Sequence, residues 1–463
     1  SVDQITVGAP AGASAFTITG TVNAKQLTTT SAFALTAGAV LTLTGRTTTA
    51  PTATLGANTT LTAATLNAAG PIAITGALGA IQSSTISATS VTLGTGALSL
   101  DNSALNLAAG TDPSLVTNTT TGIARISVAN GASLSAGNAI ILAATGAADL
   151  IATTGATIST PALTIGGTGT ATLTLNAATL TTQNLVIAAT TTARGTLTLT
   201  GGTILQLANG LQFTSAGTGS INLTGPGTLL DASNQPTIIG GPGQTALSIA
   251  SGAQARLNTL TTPAATTITA DGTNTRLDLS GPTFINPANG TTIIALTNAA
   301  TLSASALTLA NARLSLSNAT ATATAITGNS QSTLSLAGSS TLTTGPLSLA
   351  GTLSLTTGAA LQATTASLEG GSVVLKASGD TYVEGTGKIS ATGSTGGHVD
   401  VLGNRVAVLG TALIDVSGAN GGGAIRIGGD YQGKNPDVPN AQITYLGAET
   451  SLKANAAISG NGG

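Results

Sequence analysis

Along most of the chain Leu, Ile or Val alternates with Thr or Ser, as in TLTL at 172–175, TLTLT at 196–200 and SINLT at 220–224. A period of two sends successive side chains to opposite faces of an extended strand, and the branched Cβ of Thr suits a pleated surface. Gly, Asn and Ala-Gly steps break the alternation every few residues and mark turns. No stretch carries a 3.6-residue period with caps, so helices are expected to be few.

The spacing of the strands is more informative than the strands themselves. Leu173, Leu197 and Ile221 occupy equivalent inward positions at intervals of 24 and 24, and Leu247 follows after 26. One interval holds three short strands, 195–199, 204–208 and 211–216, separated by Gly-Gly or Asn-Gly. Three strands per unit of about 20–26 residues predict an all-β fold, a parallel β-helix in which each unit is one coil. Dividing 463 residues by a constant step of 24 gives roughly 19 coils.

A single coil cannot bury its inward residues, whereas stacked coils share backbone hydrogen bonds and close one continuous core. That core is narrow and admits Leu, Val, Ile, Ala and inward Thr. Gly and Asn at the corners supply positive φ at little cost, so Val in place of Gly210 is expected to strain a turn. A carboxylate at Leu197 is expected to break the stack.

The same ruler covers the end of the chain. Val373, Val399 and Ile425 begin strands at intervals of 26 and 26, and GTGKISATGSTGG at 385–397 matches GTALIDVSGANGG at 410–422 with an offset of 25. The Gly-rich stretch around His398 is therefore two turns of the repeat, followed by a longer loop, Asp430–Ala441, and a new turn at Ile443.

Composition narrows the possible functions. Only 6% of residues are charged, against about a quarter in ordinary soluble domains. No run is continuously apolar over the roughly 18 residues a membrane span needs, so the surface must be made polar by hydroxyls. A net charge of −2 and 2% aromatic residues leave neither a basic footprint nor a stacking platform for nucleic acid. Cys is absent, which removes disulfides, thiolate catalysis and Cys-based metal sites and suits export of an unfolded chain. Met is absent too, so residue 1 is expected to be a processing site or a domain cut. Of the 28 charged residues, 14 lie in 369–463. We therefore read 1–368 as a nearly uncharged Thr/Ala/Leu-rich solenoid and 369–463 as Gly-rich, more charged coils of the same solenoid.

Residues 396–447, GGHVDVLGNRVAVLGTALIDVSGANGGGAIRIGGDYQGKNPDVPNAQITYLG, resemble the late repeats of large secreted exoproteins of the filamentous-haemagglutinin type, the cyanobacterial members above all. The resemblance is strong over about 50 residues; the first 368 share only composition and alternation with the family. It implies a right-handed parallel β-helix, exported by two-partner secretion through an outer-membrane partner, and a secreted, extracellular or cell-surface location. It also implies work in adhesion or as a surface fibre. No N-terminal secretion domain of the family pattern is recognisable, and both ends read as cuts in a longer protein.

Each candidate for chemistry has a plainer reading. The glycines of GANGGG, 418–423, precede the strand AIRI, whereas a phosphate-cradling loop needs a helix N-terminus; coil corners are expected. His398 stands alone among histidines and alternates with inward Val399, so a solvated outward side chain is expected. Asp430 and Asp437, or Asp380 and Glu384, supply too few oxygens for calcium, and a solvated loop is expected. Asp400, Arg405, Asp415 and Arg426 fall in neighbouring coils, as carboxylates and bases of a polysaccharide-cleaving β-helix enzyme would. Their default reading is cross-strand ion pairing. The outward Thr rows are irregular where TLTL, NLTG and ALSI coincide, which disfavours an ice-binding face. Asn-X-Ser/Thr sequons such as Asn58, Asn118, Asn289 and Asn318 are what a Thr-rich chain produces by chance.

The sequence thus points to a secreted structural or adhesive exoprotein, a surface rod or fibre that serves attachment, aggregation or matrix building and is not an enzyme. The alternative is a polysaccharide-active β-helix enzyme. No catalytic, cofactor-binding or metal-ligating residue is assigned. The expected partners are like chains in end-to-end or lateral assembly, an outer-membrane secretion partner and surface glycans or matrix, with no nucleic acid and no membrane insertion.

Overall fold

The computed structural model describes residues 2–8, 15–45, 51–110, 112–207, 209, 211–213, 215–349, 351–356, 359–368, 372–376, 380–383 and 388–463. Gly210 and Glu384, singled out above, lie outside the described residues. The chain is all-β, a parallel β-solenoid of about 16 turns. That is fewer than the 19 obtained with a constant step of 24, and the step itself varies, from 19 residues between Leu334 and Leu353 to 38 between Arg405 and Ile443. Two compact units, 1–248 and 249–463, each consist of such turns.

In the first unit the strand Thr170–Asn176 pairs in parallel with Arg194–Thr200, and that strand pairs with Thr218–Thr224. The register aligns Leu173, Leu197 and Ile221, the interval read from the sequence. Leu173, Leu175, Leu197, Leu199, Ile221 and Leu223 are all at most 1% exposed, while Thr172, Thr174, Thr196 and Thr198 between them are half-buried. Each turn then continues through Ile204–Leu207 and Gln212–Phe213 before it returns. Phe33 and Phe213 sit inside the core at 1% and 0% exposure, so the column tolerates an occasional aromatic ring.

In the second unit the step shortens and lengthens without loss of register. Ile294, Leu314, Leu334 and Leu353 align at intervals of 20, 20 and 19, and Leu353, Val373, Val399 and Ile425 follow at 20, 26 and 26. Parallel pairing therefore runs on through the charged, Gly-rich stretch. Turn length can vary because the strands alone carry the core, and extra residues go to the corners.

The corners contain a device that sequence reading missed. The buried residue just before one strand of each turn is Ala or a hydroxyl residue: Ala132, Ala156 and Ala178, but Ser84, Ser103, Thr203, Thr228, Thr275 and Ser340. Where it is a hydroxyl, it accepts a backbone N–H from the turn beneath. Examples are Ala64 to Ser84 at 3.2 Å, Ser84 to Ser103 at 3.1 Å and Gly252 to Thr275 at 2.9 Å. The same hydroxyl donates to a carbonyl of its own corner, as Thr275 does to Asp271 at 2.8 Å. A buried amide that the strand ladder cannot reach is thereby satisfied. Positive φ at the corners falls on Asn130 and Gly131 as expected, and also on Ala63 and Ala177.

Candidate functional site

The only mixed acid–base cluster that the sequence suggested was Asp400, Arg405, Asp415 and Arg426. The structure separates it. Asp400 lies on His398–Leu402 and Arg426 on Ala424–Ile427, which pair with each other. Arg405 lies on Arg405–Val408, in a second sheet with Ile443–Leu446, and Asp415 on Leu413–Asp415, in a third with Ser451–Lys453. Asp415 accepts the backbone N–H of Ser417 at 2.9 Å. Strand register thus pairs Asp400 with Arg426 and leaves Arg405 and Asp415 on two other sheets.

What remains is built by simple alternation. Val399 and Val401 point inward at 0% exposure, which sends His398 and Asp400 outward on the same face. Arg426, the register partner of Asp400, reaches across and engages both carboxylate oxygens, Nε to Oδ1 at 2.7 Å and Nη2 to Oδ2 at 2.7 Å. This two-pronged contact is the strong geometry for the pair, and it agrees with the cross-strand ion pairing expected of these two residues. Asp400 is only 5% exposed despite facing outward.

His398 departs from expectation. It is not simply solvated: its side chain is 33% exposed, and Nε2 lies 2.6 Å from Asp400 Oδ1 and 2.8 Å from Arg426 Nη2. The loop after Ala424–Ile427 is likewise tied down. Arg426 Nη1 reaches Asp430 Oδ2 at 3.3 Å. Asp430 also accepts the Tyr431 N–H at 2.7 Å and Asn435 Nδ2 at 2.8 Å, and it caps the short 3-10 turn Tyr431–Gly433. Val438 of the same loop is 7% exposed, whereas Asp437 is open to solvent. The loop is an anchored strap whose sequence hid a buried Val and a capping Asp.

Electrostatics follow these contacts. Asp400 raises the Arg426 guanidinium above its ordinary value, first through their hydrogen bonds and then by charge. Asp430 is held below the usual carboxylate range by Asn435, then by the Tyr431 amide, with Arg426 adding to both. A carboxylate already committed to three donors, one of them cationic, is a poor calcium ligand. Among the described residues no three His, Asp or Glu side chains gather as metal ligands. Asp380 begins the strand Asp380–Val383, in register with Arg405.

The glycines of 418–423 have a structural task. A Cβ on Gly423 would sit 1.9 Å from the Gly397 carbonyl oxygen, and one on Gly396 would sit 1.8 Å from that of Val416. Backbones of adjacent turns pass too closely here for any side chain, as the corner reading required. No helix among the described residues is long and apolar enough to cross a membrane. The alternation HVDV, with Arg one 26-residue step further on, was enough to foresee the Asp400–Arg426 pair; the strap's contacts had no such signal. Comparison of the chain with protein-family models, with curated proteins and with solved structures found no match.

Proposed function

We propose that this chain is part of a secreted, non-catalytic exoprotein of the filamentous-haemagglutinin type, a surface rod or fibre that presents its faces for attachment, aggregation or matrix building. The observation that carries the reading is the split of the charged cluster over three sheets, with Asp400 committed to Arg426 and Asp415 to the Ser417 amide. A solenoid whose inward rows are aliphatic and whose outward rows are hydroxyls offers repetitive surface rather than a reaction centre. The late-repeat resemblance of residues 396–447 supplies the export route, two-partner secretion, and the extracellular location.

Association with like chains fits the same reading. Electron microscopy of the purified chain is expected to show thin rods that join end to end at raised concentration. Globular particles, or a monomer at every concentration in sedimentation, would count against the proposal. Incubation with acidic polysaccharides across pH and calcium concentration separates it from the enzyme alternative, since new reducing or unsaturated ends would establish cleavage.

A further inference from the structure

The chain holds five Asn-Gly steps, which begin at Asn130, Asn209, Asn289, Asn420 and Asn461. At such a step the glycine nitrogen can attack the side-chain amide before it, because no Cβ shields the nitrogen and the backbone turns freely. The attack needs an asparagine side chain free to rotate and a peptide plane free to swing. Hydrogen bonds to either one hold it back.

The structure grades the steps by these bonds. Asn130 is held twice: its Nδ2 donates to Asp101 Oδ1 at 2.7 Å, and the Gly131 N–H donates to the Thr154 carbonyl at 2.9 Å. Asn420 is held at both ends of its amide, donating to Ser394 Oγ at 3.2 Å and accepting from Ser459 Oγ at 3.3 Å. At Asn461 the carbonyl of the reacting peptide accepts the Gly422 N–H at 2.9 Å. Of the step at Asn209, Gly210 lies outside the described residues. Asn289 is different. It is exposed on the corner between Thr283–Ile285 and Thr292–Thr297. Among the described residues nothing bonds its side chain, its carbonyl or the Gly290 N–H. The nearest anchor is one residue earlier, where the Ala288 N–H meets the Pro263 carbonyl at 2.9 Å.

We propose that Asn289–Gly290 is a site at which the folded chain modifies itself. The Gly290 nitrogen bonds to Asn289 Cγ, the Cγ–Nδ2 bond breaks, and ammonia leaves with the amide proton as a succinimide ring closes. Water then opens the ring at either carbonyl, giving aspartate or, with the backbone rerouted through Cβ, isoaspartate. Water is the sole co-reactant and ammonia the sole by-product. The nitrogen attacks after losing its proton, so base speeds the step. The product places a carboxylate within 279–312, a stretch with no charged residue.

The test is peptide mass spectrometry of the full chain after incubation at mildly alkaline pH, with and without urea. Cleavage after arginine isolates 277–313, which holds Asn289, from 126–194, which holds Asn130, and fragmentation locates the amide that has become an acid. In the folded chain Asn289 is expected to convert about tenfold faster than Asn130, which must first give up two hydrogen bonds. In urea the two rates should converge, and lower pH should slow both. Asp101→Ala removes one of the bonds that hold Asn130 and should speed conversion there while leaving Asn289 as it was. Asn289 left intact in the folded chain overturns the proposal. So do equal rates at the two sites in the folded chain, or a ratio between them that urea does not change.

Discussion

Asp400 and Arg426 meet as register partners on adjacent turns, and both carboxylate oxygens bond one guanidinium at 2.7 Å. The carboxylate is nearly fully buried although its strand position is outward. Such a pair is costly to break from one side, because the survivor keeps its desolvation penalty and loses its partner. Arg426→Met is expected to lower stability by about 2 kcal/mol. Adding Asp400→Leu should restore part of that loss rather than double it. Urea midpoints of the two single variants and the double variant check this; additive losses would show that the two residues do not act as a pair.

Two threonines of the second unit make a sharper comparison. Thr275 accepts the Gly252 amide and donates to the Asp271 carbonyl, whereas the buried hydroxyl of Thr283 has no partner. Thr275→Val should cost about 1 kcal/mol by leaving the half-buried Gly252 amide and the Asp271 carbonyl without this partner. Thr283→Val removes an orphaned hydroxyl and should stabilise by about 1 kcal/mol. Opposite shifts in the urea midpoint are the expected result, and shifts of the same sign would contradict the bonding described at the corner.

Asp271 provides a pH handle outside the strap. Its carboxylate accepts Thr297 Oγ1 at 2.5 Å and Asn298 Nδ2 at 2.7 Å. Those bonds, Thr297 first, hold it below the ordinary 3.8. A carboxyl depressed on folding contributes stability that is fully present above its unfolded value and is lost as pH falls through its folded value. The window here therefore lies below 3.8. In the double variant Thr297→Val, Asn298→Ala the Asp271 carbonyl-carbon titration should return to about 3.8. The stability gap between native and variant chains should close in strong acid. A titration curve unmoved by the double variant would remove the assigned cause.

The legible parts of the molecule were those governed by period and spacing. The 24-residue step from Leu173 to Ile221 and the 26-residue step from Val373 to Ile425 both appear as strand register, because a parallel stack repeats its inward rows. Asp400 and Arg426 were legible for the same reason. The burial of Val438, the cap at Asp430 and the hydroxyl of Thr275 above Gly252 were not. Each depends on how a corner or loop folds back on a neighbouring turn, and a corner has no period of its own. His398 was misread because alternation gives the face a side chain points to but not what has closed over that face.

The stacking rule itself can be tested on one strand. Leu197 is 0% exposed, inward between Leu173 and Ile221, while Thr198 beside it is half-buried, outward between Thr174 and Asn222. Leu197→Asp places an unpaired carboxylate among aliphatic neighbours above and below and should cost about 4 kcal/mol or more. Thr198→Asp adds the same charge one residue away, where water reaches it and no like charge lies opposite, and should shift stability by about 0.5 kcal/mol or less. The side chains differ only in which wall of the same strand they leave from. A large difference in urea midpoint means that inward rows hold the turns together; comparable losses would mean that the hydroxyl rows contribute as much to cohesion as the aliphatic ones.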